Sequence, residues 1–333
     1  MSDETIDKTF QVTDPARFVI SNVRGLITIQ PGEAGSIQVR AELHSSVDSD
    51  KNYVEMIQDA DGTVRVETRS STGFFGFHSH HPRVDYFVRV PQGIHLEASC
   101  VSSNLKVSEL EGAFKLKTIS GDIDLVGISG PLKLGAVSGD ITGSRLSGVL
   151  DLDTVSGRAR LTDSSFPSAD ASTVSGDLLL QTAISEGPYL FSSVSGDVKM
   201  IVPPDSRCSV ELNSVSGSIR SSLPATAARM GHGLKVTQIQ GGGTSVRLKS
   251  VSGGVSIETE GVPATAVPST EPAMESTFPS IPPIPPIPPI PLDPGQPAPE
   301  PPAEQLSTSE ILQRIERGEL TVDEAIELMK GDS

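Results

Sequence analysis

Length, composition and charge limit the classes of protein to which this sequence can belong. The chain has 333 residues and a formal net charge of −16, which disfavours nucleic acid and anionic lipid as partners. It has no Trp and 4% aromatic residues, so a compact core of large aromatic side chains is not expected. Its two cysteines, Cys100 and Cys208, are too few for a disulfide framework, and we expect both to be small buried hydrophobic residues.

The first residues of the chain carry no targeting pattern. The segment MSDETIDKTF is polar and acidic, without the basic and apolar regions of a signal peptide. No apolar run reaches the roughly 20 residues that a membrane span needs. We therefore expect a cytoplasmic protein without a membrane span, with residues 1–9 disordered. Surface export would need a signal that the sequence does not show.

Alternating apolar and polar residues predict strands throughout residues 10–95. The runs are RFVISNVRGLITIQPG, SIQVRAEL, NYVEMIQ, TVRVETR and VDYFVRVPQG, separated by Gly, Pro and Asp-Gly. This pattern is typical of strands joined by turns. We expect an antiparallel sheet that caps the repeats that follow, because the end of a repeat stack is an open strand edge.

An insertion rich in Phe and His, STGFFGFHSHHP at residues 71–82, lies between two of these strands. Its aromatic and imidazole residues are Phe74, Phe75, Phe77, His78, His80 and His81. We interpret it as a loop whose Phe side chains contact the sheet or a partner, which includes oligomerisation. The histidines are weak candidates for a zinc site, since no Cys and only Asp85 accompany them. We predict no metal and no cofactor.

A nine-residue repeat occupies the chain from Val101 to Asp163. Seven consecutive units share the pattern φ-S-G-x-φ-x-φ-x-x, in which φ is mostly aliphatic. The φ positions inside a unit are two residues apart, which is the period of a strand. Nine residues make one short strand and one corner, so two units form one coil of a flattened parallel β-solenoid. The predicted fold class is all-β, with a solenoid over residues 96–260 and about 18 to 21 residues per coil.

The repeat also predicts which side chains fill the core. The inward sets are Phe114/Leu116/Ile119, Leu132/Leu134/Val137, Leu150/Leu152/Val155, Tyr189/Phe191/Val194, Val210/Leu212/Val215 and Val246/Leu248/Val251. Stacked at the inter-strand distance, these sets would form one continuous aliphatic core. The 36 residues from Gly217 to Gly253 predict one degenerate coil near HGLKVTQIQ.

The corner Val-Ser-Gly recurs along the solenoid. Its glycines are Gly121, Gly139, Gly157, Gly176, Gly196, Gly217 and Gly253. Glycine readily adopts φ > 0, which tight corners often need, so we interpret these glycines as structural turns. Asp122, Asp140, Asp177 and Asp197 share one corner, where Arg158 or solvent could offset their repulsion. A calcium ladder is the alternative, although the unit lacks the paired glycines of calcium-binding nonapeptides.

The composition changes abruptly after Gly261. Residues 261–303 include IPPIPPIPPIPLDPG, with Ile at every third position. Polyproline II has three residues per turn, so these Ile side chains would line one edge. We expect a Pro-rich spacer, and a ligand for a proline-binding groove is the alternative.

The last thirty residues have the pattern of two short helices. Two capping boxes and Gly318 predict a helical hairpin at residues 304–333. The apolar partner-binding candidates on it are Ile311, Leu312, Ile315 and Leu328. So short a hairpin rarely folds alone, so we expect it to bind a protein partner or to mediate self-association.

Several of these segments resemble a known bacterial family. The VSGD corners, the segments Val90–Gly93 and Val202–Asp205, and the ending GGGTSVRLKSVSGGVSI resemble the putative-adhesin domain of unknown function, the β-solenoid of YvlB-like and LiaX-like proteins. The resemblance covers Phe10 to Thr259. The tail EILQRIERGELTVDEAIELM resembles the SHOCT-like or YvlB/LiaX-type hairpin found with that domain. The family implies a link to envelope-stress responses or surface binding, and no catalytic residues.

The sequence therefore favours a non-catalytic binding or scaffold protein. An exported cell-surface adhesin is one alternative. A carbohydrate-active β-helix enzyme is another, although no pair of acidic residues stands out from the corner pattern and no catalytic motif occurs in a supporting context.

Overall fold

A stack of parallel strands runs through most of the protein. The computed structural model describes residues 4–44, 53–69, 82–230, 234–261 and 265–266. The elements of these residues are all strands, linked in one hydrogen-bonded system of 23. Within the same residues, no helix has the length and apolar composition needed to cross a bilayer.

The first ninety residues contribute six strands. They are β1 (Glu4–Gln11), β2 (Arg17–Pro31), β3 (Ser36–His44), β4 (Val54–Gln58), β5 (Val64–Thr68) and β6 (Arg83–Val90).

The repeats form the next twelve strands. They are β7 (Ile94–Thr118), β8 (Ile123–Ser129), β9 (Leu132–Ala136), β10 (Ile141–Ser144), β11 (Leu150–Ser156), β12 (Ala159–Ser164), β13 (Ala169–Ser175), β14 (Leu178–Thr182), β15 (Tyr189–Ser195), β16 (Val198–Ile201), β17 (Cys208–Ser216) and β18 (Ile219–Ser221). The last five strands are β19 (Ala225–Met230), β20 (Leu234–Ile239), β21 (Thr244–Ser252), β22 (Val255–Glu258) and β23 (Thr265–Ala266).

Each coil of the repeat supplies one strand to each of two faces. On one face β8, β10, β12, β14 and β16 pair in parallel, and on the other β9, β11, β13 and β15 do so. Equivalent residues on the first face are Ile123, Ile141, Ala159, Leu178 and Val198. They follow one another at steps of 18, 18, 19 and 20 residues. The predicted parallel solenoid is confirmed for these coils.

The core between the two faces consists of rows of apolar side chains in register. One such row is Leu116, Leu134, Leu152, Ala171, Phe191, Leu248 and Leu212. No member of this row has more than 3% of its surface exposed. Burying an aliphatic side chain of this size stabilises the fold by about 1.5 to 3 kcal/mol, so the stacked rows are the main source of stability.

The parallel stack begins earlier than the sequence predicted. Strand β2 pairs in parallel with β5, β6 and β7, and its pairing with β7 follows that strand from Arg17 to Ile29. The antiparallel strands expected in residues 10–95 are confined to the pairs β1–β3, β3–β6 and β4–β5. Because β2 bends with β7 over two faces, it acts as a first coil and not as part of a separate cap.

Residues 4–9, expected to be disordered, belong to strand β1. They pair with β3 from Glu4 onwards. Only Phe10 of this strand is buried, while Asp7 accepts a bond from the guanidinium of Arg40 at 2.8 Å and the Lys8 ammonium donates to a backbone oxygen at 2.6 Å. An edge strand needs one paired side and tolerates polar residues, which explains why the polar composition misled the prediction.

The final two coils are not stacked in chain order. Strand β21 pairs in parallel with β15 on one side and with β17 on the other, and β22 lies likewise between β16 and β18. The degenerate coil predicted near HGLKVTQIQ is wrong. Strands β19 and β20 form an antiparallel hairpin there, and β20 pairs antiparallel with β17. This hairpin and β23, which pairs with β18, cover the outer edges of the last coil.

Candidate functional site

A groove crosses the strands on the face formed by β11, β13, β15, β21 and β17. It has a volume of about 540 Å³. Its residues are Thr154, Val155, Ser172, Thr173, Val174, Ser192, Ser193, Val194, Asn213, Lys249, Ser250 and Val251. One wall is a row of valines, and the opposite wall is mostly serine and asparagine. Lys249 is the only charged residue among the described residues that line the groove. We call it the valine groove.

The apolar wall belongs to a longer row that runs across five coils. Strand pairing places its members in the order Val155, Val174, Val194, Val251 and Val215, and we call them the valine row. The exposed fraction rises along the row, to 38% at Val194, 54% at Val251 and 86% at Val215. An aligned apolar row on the surface is typical of an interaction site.

The valine row contradicts part of the predicted core. Val155, Val194, Val215 and Val251 were expected inside but lie at the surface. Strand β11 alternates through the corner: Leu150, Leu152 and Thr154 face inward. Side chains of a strand alternate between its two faces, so the residue after Thr154 must face outward.

The first two corners differ because their strands end just before the position that Val155 occupies in β11. Strands β7 and β9 end at Thr118 and Ala136, so the chain turns before the next residue. Ile119 and Val137 are therefore buried, as predicted, with at most 1% exposed. The sequence contains a signal for the outward row, since Val155 is an odd number of residues from Leu150 and Leu152. That signal is decisive only once the strand is known to continue to Ser156.

The same alternation places hydroxyl groups inside the protein. Thr154, Thr173 and Ser250 each bury a side-chain oxygen for which the described residues offer no hydrogen-bond partner. All three lie on the floor of the valine groove. An unpaired buried hydroxyl costs about 1 to 3 kcal/mol, so this row of hydroxyl groups contributes less stability than the aliphatic rows of the same coils.

The seven repeated glycines share a close contact between coils. A Cβ atom built on Gly121, Gly139, Gly157, Gly176, Gly196, Gly217 or Gly253 would lie 1.9 to 2.4 Å from a carbonyl oxygen of the neighbouring coil. Positive φ is not the common cause, since only Gly157, Gly196 and Gly253 among them have it. These seven positions cannot hold a larger residue, because the backbone of each corner packs directly on the backbone of the neighbouring coil.

The corner carboxylates bind backbone groups of the next coil. Asp122 accepts a hydrogen bond from the backbone N–H of Asp140 at 3.1 Å, and Asp140 accepts one from the N–H of Arg158 at 2.8 Å. The guanidinium of Arg158 also lies 3.2 Å from Asp140. Asp177 and Asp197 repeat the arrangement at 3.1 and 2.7 Å. These bonds explain the stacked acids without calcium.

Oppositely charged side chains pair along the coils nearer the N-terminus. The Lys115 ammonium lies 2.7 Å from Glu97, and that of Lys133 lies 2.6 Å from Asp151. The bond to Asp151 raises the pKa of Lys133, whereas burial and the nearby Lys115 lower the pKa of Lys117. An open groove of about 600 Å³ lies here, lined by residues of both charges. Its charges are largely compensated, which makes it a weaker candidate for a ligand site.

Two groups with potential reactivity are inert by position. Cys100 and Cys208 are buried, unpaired thiols, as predicted, and burial raises their pKa values to about 12 and about 11. A thiol that stays protonated is a poor nucleophile and metal ligand. Within the part of the chain that the structure describes, no group of three or more His, Cys, Asp or Glu side chains could hold a metal ion.

The remaining candidates from the sequence lie outside the described residues. They are Phe74, Phe75, Phe77, His78, His80, His81, Ile311, Leu312, Ile315 and Leu328. The Pro-rich segment and the SHOCT-like hairpin also lie there, so both stay predictions.

The fold and the repeated corners define a bacterial β-solenoid of unknown function. Residues 17–258 match the Toastrack DUF4097 family, and the chain belongs to it. No curated protein matches the sequence.

Solved structures that match this chain include two described as putative adhesins. That of Parabacteroides merdae ATCC 43184 is 13% identical, with 77% of this chain and 96% of that chain covered and a TM-score of 0.43. That of Bacteroides fragilis NCTC 9343 is also 13% identical, with 77% and 97% covered and a TM-score of 0.41. A protein described as a putative lipid-binding protein, from Parabacteroides distasonis ATCC 8503, is 9% identical, with 77% and 96% covered and a TM-score of 0.38.

Proposed function

We propose that the protein is a non-catalytic binding scaffold that holds an extended, apolar stretch of a protein partner along the valine groove. The observation that carries this proposal is the alignment of exposed valines over successive coils. A rigid row of this kind offers one apolar contact about every 4.8 Å. An extended chain can meet such contacts without first folding.

The electrostatics of the groove support a protein segment over a charged ligand. Among the residues that the structure describes, Lys249 is the only charged one that lines the groove, while the chain carries a net charge of −16. A highly charged ligand would leave most of its charges unpaired there, which is costly. The link to envelope stress that the family resemblance implies, and recruitment by the C-terminal hairpin, belong to the same proposal.

Photo-crosslinking of the full chain in cells tests this function. The photoreactive residue p-benzoylphenylalanine replaces Val251 in the groove. In a matched control it replaces Val126, which is 36% exposed and lies outside the groove. We expect adducts from position 251 that map by mass spectrometry to one extended apolar segment, and few from position 126. The double variant Val194→Ser/Val251→Ser should lose binding of that segment.

Two outcomes would contradict the proposal. Equal adduct yields from positions 251 and 126 would show that the groove binds a protein segment no better than the surface outside it. Release of reducing sugar from a glycan panel by the purified full chain would favour the β-helix enzyme instead. Protease treatment of intact cells addresses the remaining alternative, since digestion of the protein at the cell surface would support an exported adhesin.

A further inference from the structure

The spacing of the valine row sets a condition on whatever lies along it. Its five members belong to adjacent, parallel strands, which are about 4.8 Å apart. Alternate valines are therefore about 9.6 Å apart, and the whole row is about 19 Å long. The most exposed member, Val215, is at the outer end of this row.

The last described residues lie on the coil that carries Val215. Strand β23 pairs antiparallel with β18, with Thr265 opposite Ser221 and Ala266 opposite Arg220. A chain that continues in this direction passes Ser218 and Gly217, and so approaches the corner that follows Val215. The direction of β23 along β18 therefore leads toward the corner between β17 and β18.

The sequence beyond Ala266 contains a matching period. Ile281, Ile284, Ile287 and Ile290 recur every third residue, separated by proline pairs. Such a sequence favours polyproline II, with three residues per turn and about 3.1 Å per residue. Its isoleucines would be about 9.3 Å apart, which differs from the spacing of alternate valines by only about 0.3 Å. Three successive isoleucines would span nearly the whole row.

Reach and charge also permit this contact. Fifteen residues lead from Ala266 to Ile281, and at about 3.3 Å each they can extend roughly 50 Å. Residues 278–292 contain no charged side chain, so their burial against the groove desolvates no charge of their own. Proline also fixes φ in advance, which reduces the entropy lost on docking.

We propose that residues 281–291 of the same chain occupy the valine groove, with isoleucines packed on alternate valines. This inference rests on the proposed function, because an outside partner would bind the same groove. The tether gives the segment an effective concentration in the millimolar range. The segment therefore acts as an internal competitor that a partner has to displace.

A competition experiment with the full chain tests this inference. The probe is a fluorescent synthetic peptide with the sequence of residues 278–293. It is titrated by anisotropy into the wild type and into a variant with Ile281, Ile284, Ile287 and Ile290 all replaced by Ser, which keeps every proline. We expect the peptide to bind the variant at least tenfold more tightly than the wild type, since the variant no longer fills its own groove.

Matched substitutions locate the binding site on the solenoid. In the four-serine variant, Val194→Ser/Val251→Ser should weaken binding of the peptide at least tenfold. Val126→Ser/Val149→Ser changes two valines that are 36% and 51% exposed outside the groove, and should leave binding unchanged. Circular dichroism confirms that each variant keeps its strands.

Each contrary result has a separate meaning. Equal binding of the peptide to wild type and four-serine variant, or binding to neither, overturns the internal occupant. The proposed function then stands if position 251 still forms adducts with another protein, and falls if it forms none. Self-association of the wild type that the four-serine variant loses would place the segment in a second copy and would also overturn the proposal.

Discussion

Replacing Gly139 with alanine separates two explanations for the repeated glycines. If the corners needed glycine for positive φ, alanine would be tolerated, because Gly139 does not have a left-handed φ. If the corners need glycine because coils stack on one another, alanine would not fit. Its Cβ would lie 1.9 Å from the carbonyl oxygen of Gly121 and 2.8 Å from the carbonyl carbon.

The expected cost follows from the hydrogen bonds at this corner. Relief of the clash requires the two coils to separate by about 1 Å, since Cβ atoms essentially never approach within 3.0 Å of another heavy atom. The backbone N–H groups of Val137 and Ser138 donate to the coil below at 3.1 and 2.7 Å. Two buried donors left unpaired cost about 1 to 3 kcal/mol each. We therefore expect Gly139→Ala to lower the free energy of unfolding by about 2 to 6 kcal/mol.

Gly62→Ala is the matched control. Gly62 has a φ of +86°, but an alanine Cβ at this position would have no heavy atom within 4 Å beyond its chain neighbours, so alanine there costs only the backbone strain of about 1 kcal/mol. Urea denaturation of both variants, followed by far-UV circular dichroism, gives the comparison. Because coils of a repeat protein can unfold separately, the first transition is the one to compare. If Gly139→Ala lowers the free energy of unfolding no more than Gly62→Ala does, the stacking explanation is refuted.

Further predictions test the orientation and the chemistry of individual side chains. Val194→Ser should change the free energy of unfolding by less than about 0.5 kcal/mol, whereas Leu152→Ala should cost about 2 to 5 kcal/mol; equal effects in denaturation would contradict the outward valine row. Asp140→Asn should keep the bond to the next coil and Asp140→Ala should lower the melting temperature further, with similar losses counting against the backbone role of this carboxylate. Ellman's reagent at pH 8 should label neither Cys100 nor Cys208 in the folded protein and both in denaturant, so rapid labelling of the native state would contradict their burial. Since folding raises both thiol pKa values, the unfolded chain loses these protons first and stability should fall as pH rises above about 8.5, which thermal denaturation across pH 8 to 10 can check.

The aliphatic rows were predictable because the repeat fixes them locally. Leu132, Leu134, Leu150 and Leu152 have the two-residue spacing of a strand, and the 18-residue step sets them side by side. The valine groove was not predictable in the same way. Its existence depends on whether a strand ends before Val155 or continues past it, and one hydrophobic residue at a corner is compatible with both.

The order of the coils was harder to predict for a related reason. Strands β17 and β21 carry almost the same corner, and either could pair with β15 through the same backbone bonds. The two arrangements differ in which strand is left with an unpaired edge. With β21 inserted, the outer strand is β17, and the hairpin of β19 and β20 lies directly on it.

Covering both edges explains why the chain departs from its own repeat at the end. An open parallel edge is a template for pairing with other chains, and a strictly sequential stack would present one. The insertion of β21 and β22 uses the hairpin to cover β17, while β23 covers β18. The same arrangement places Thr265 and Ala266 against β18, in the coil that carries Val215, the most exposed member of the valine row. One arrangement therefore covers the strand edges and places the last described residues on the coil that carries Val215.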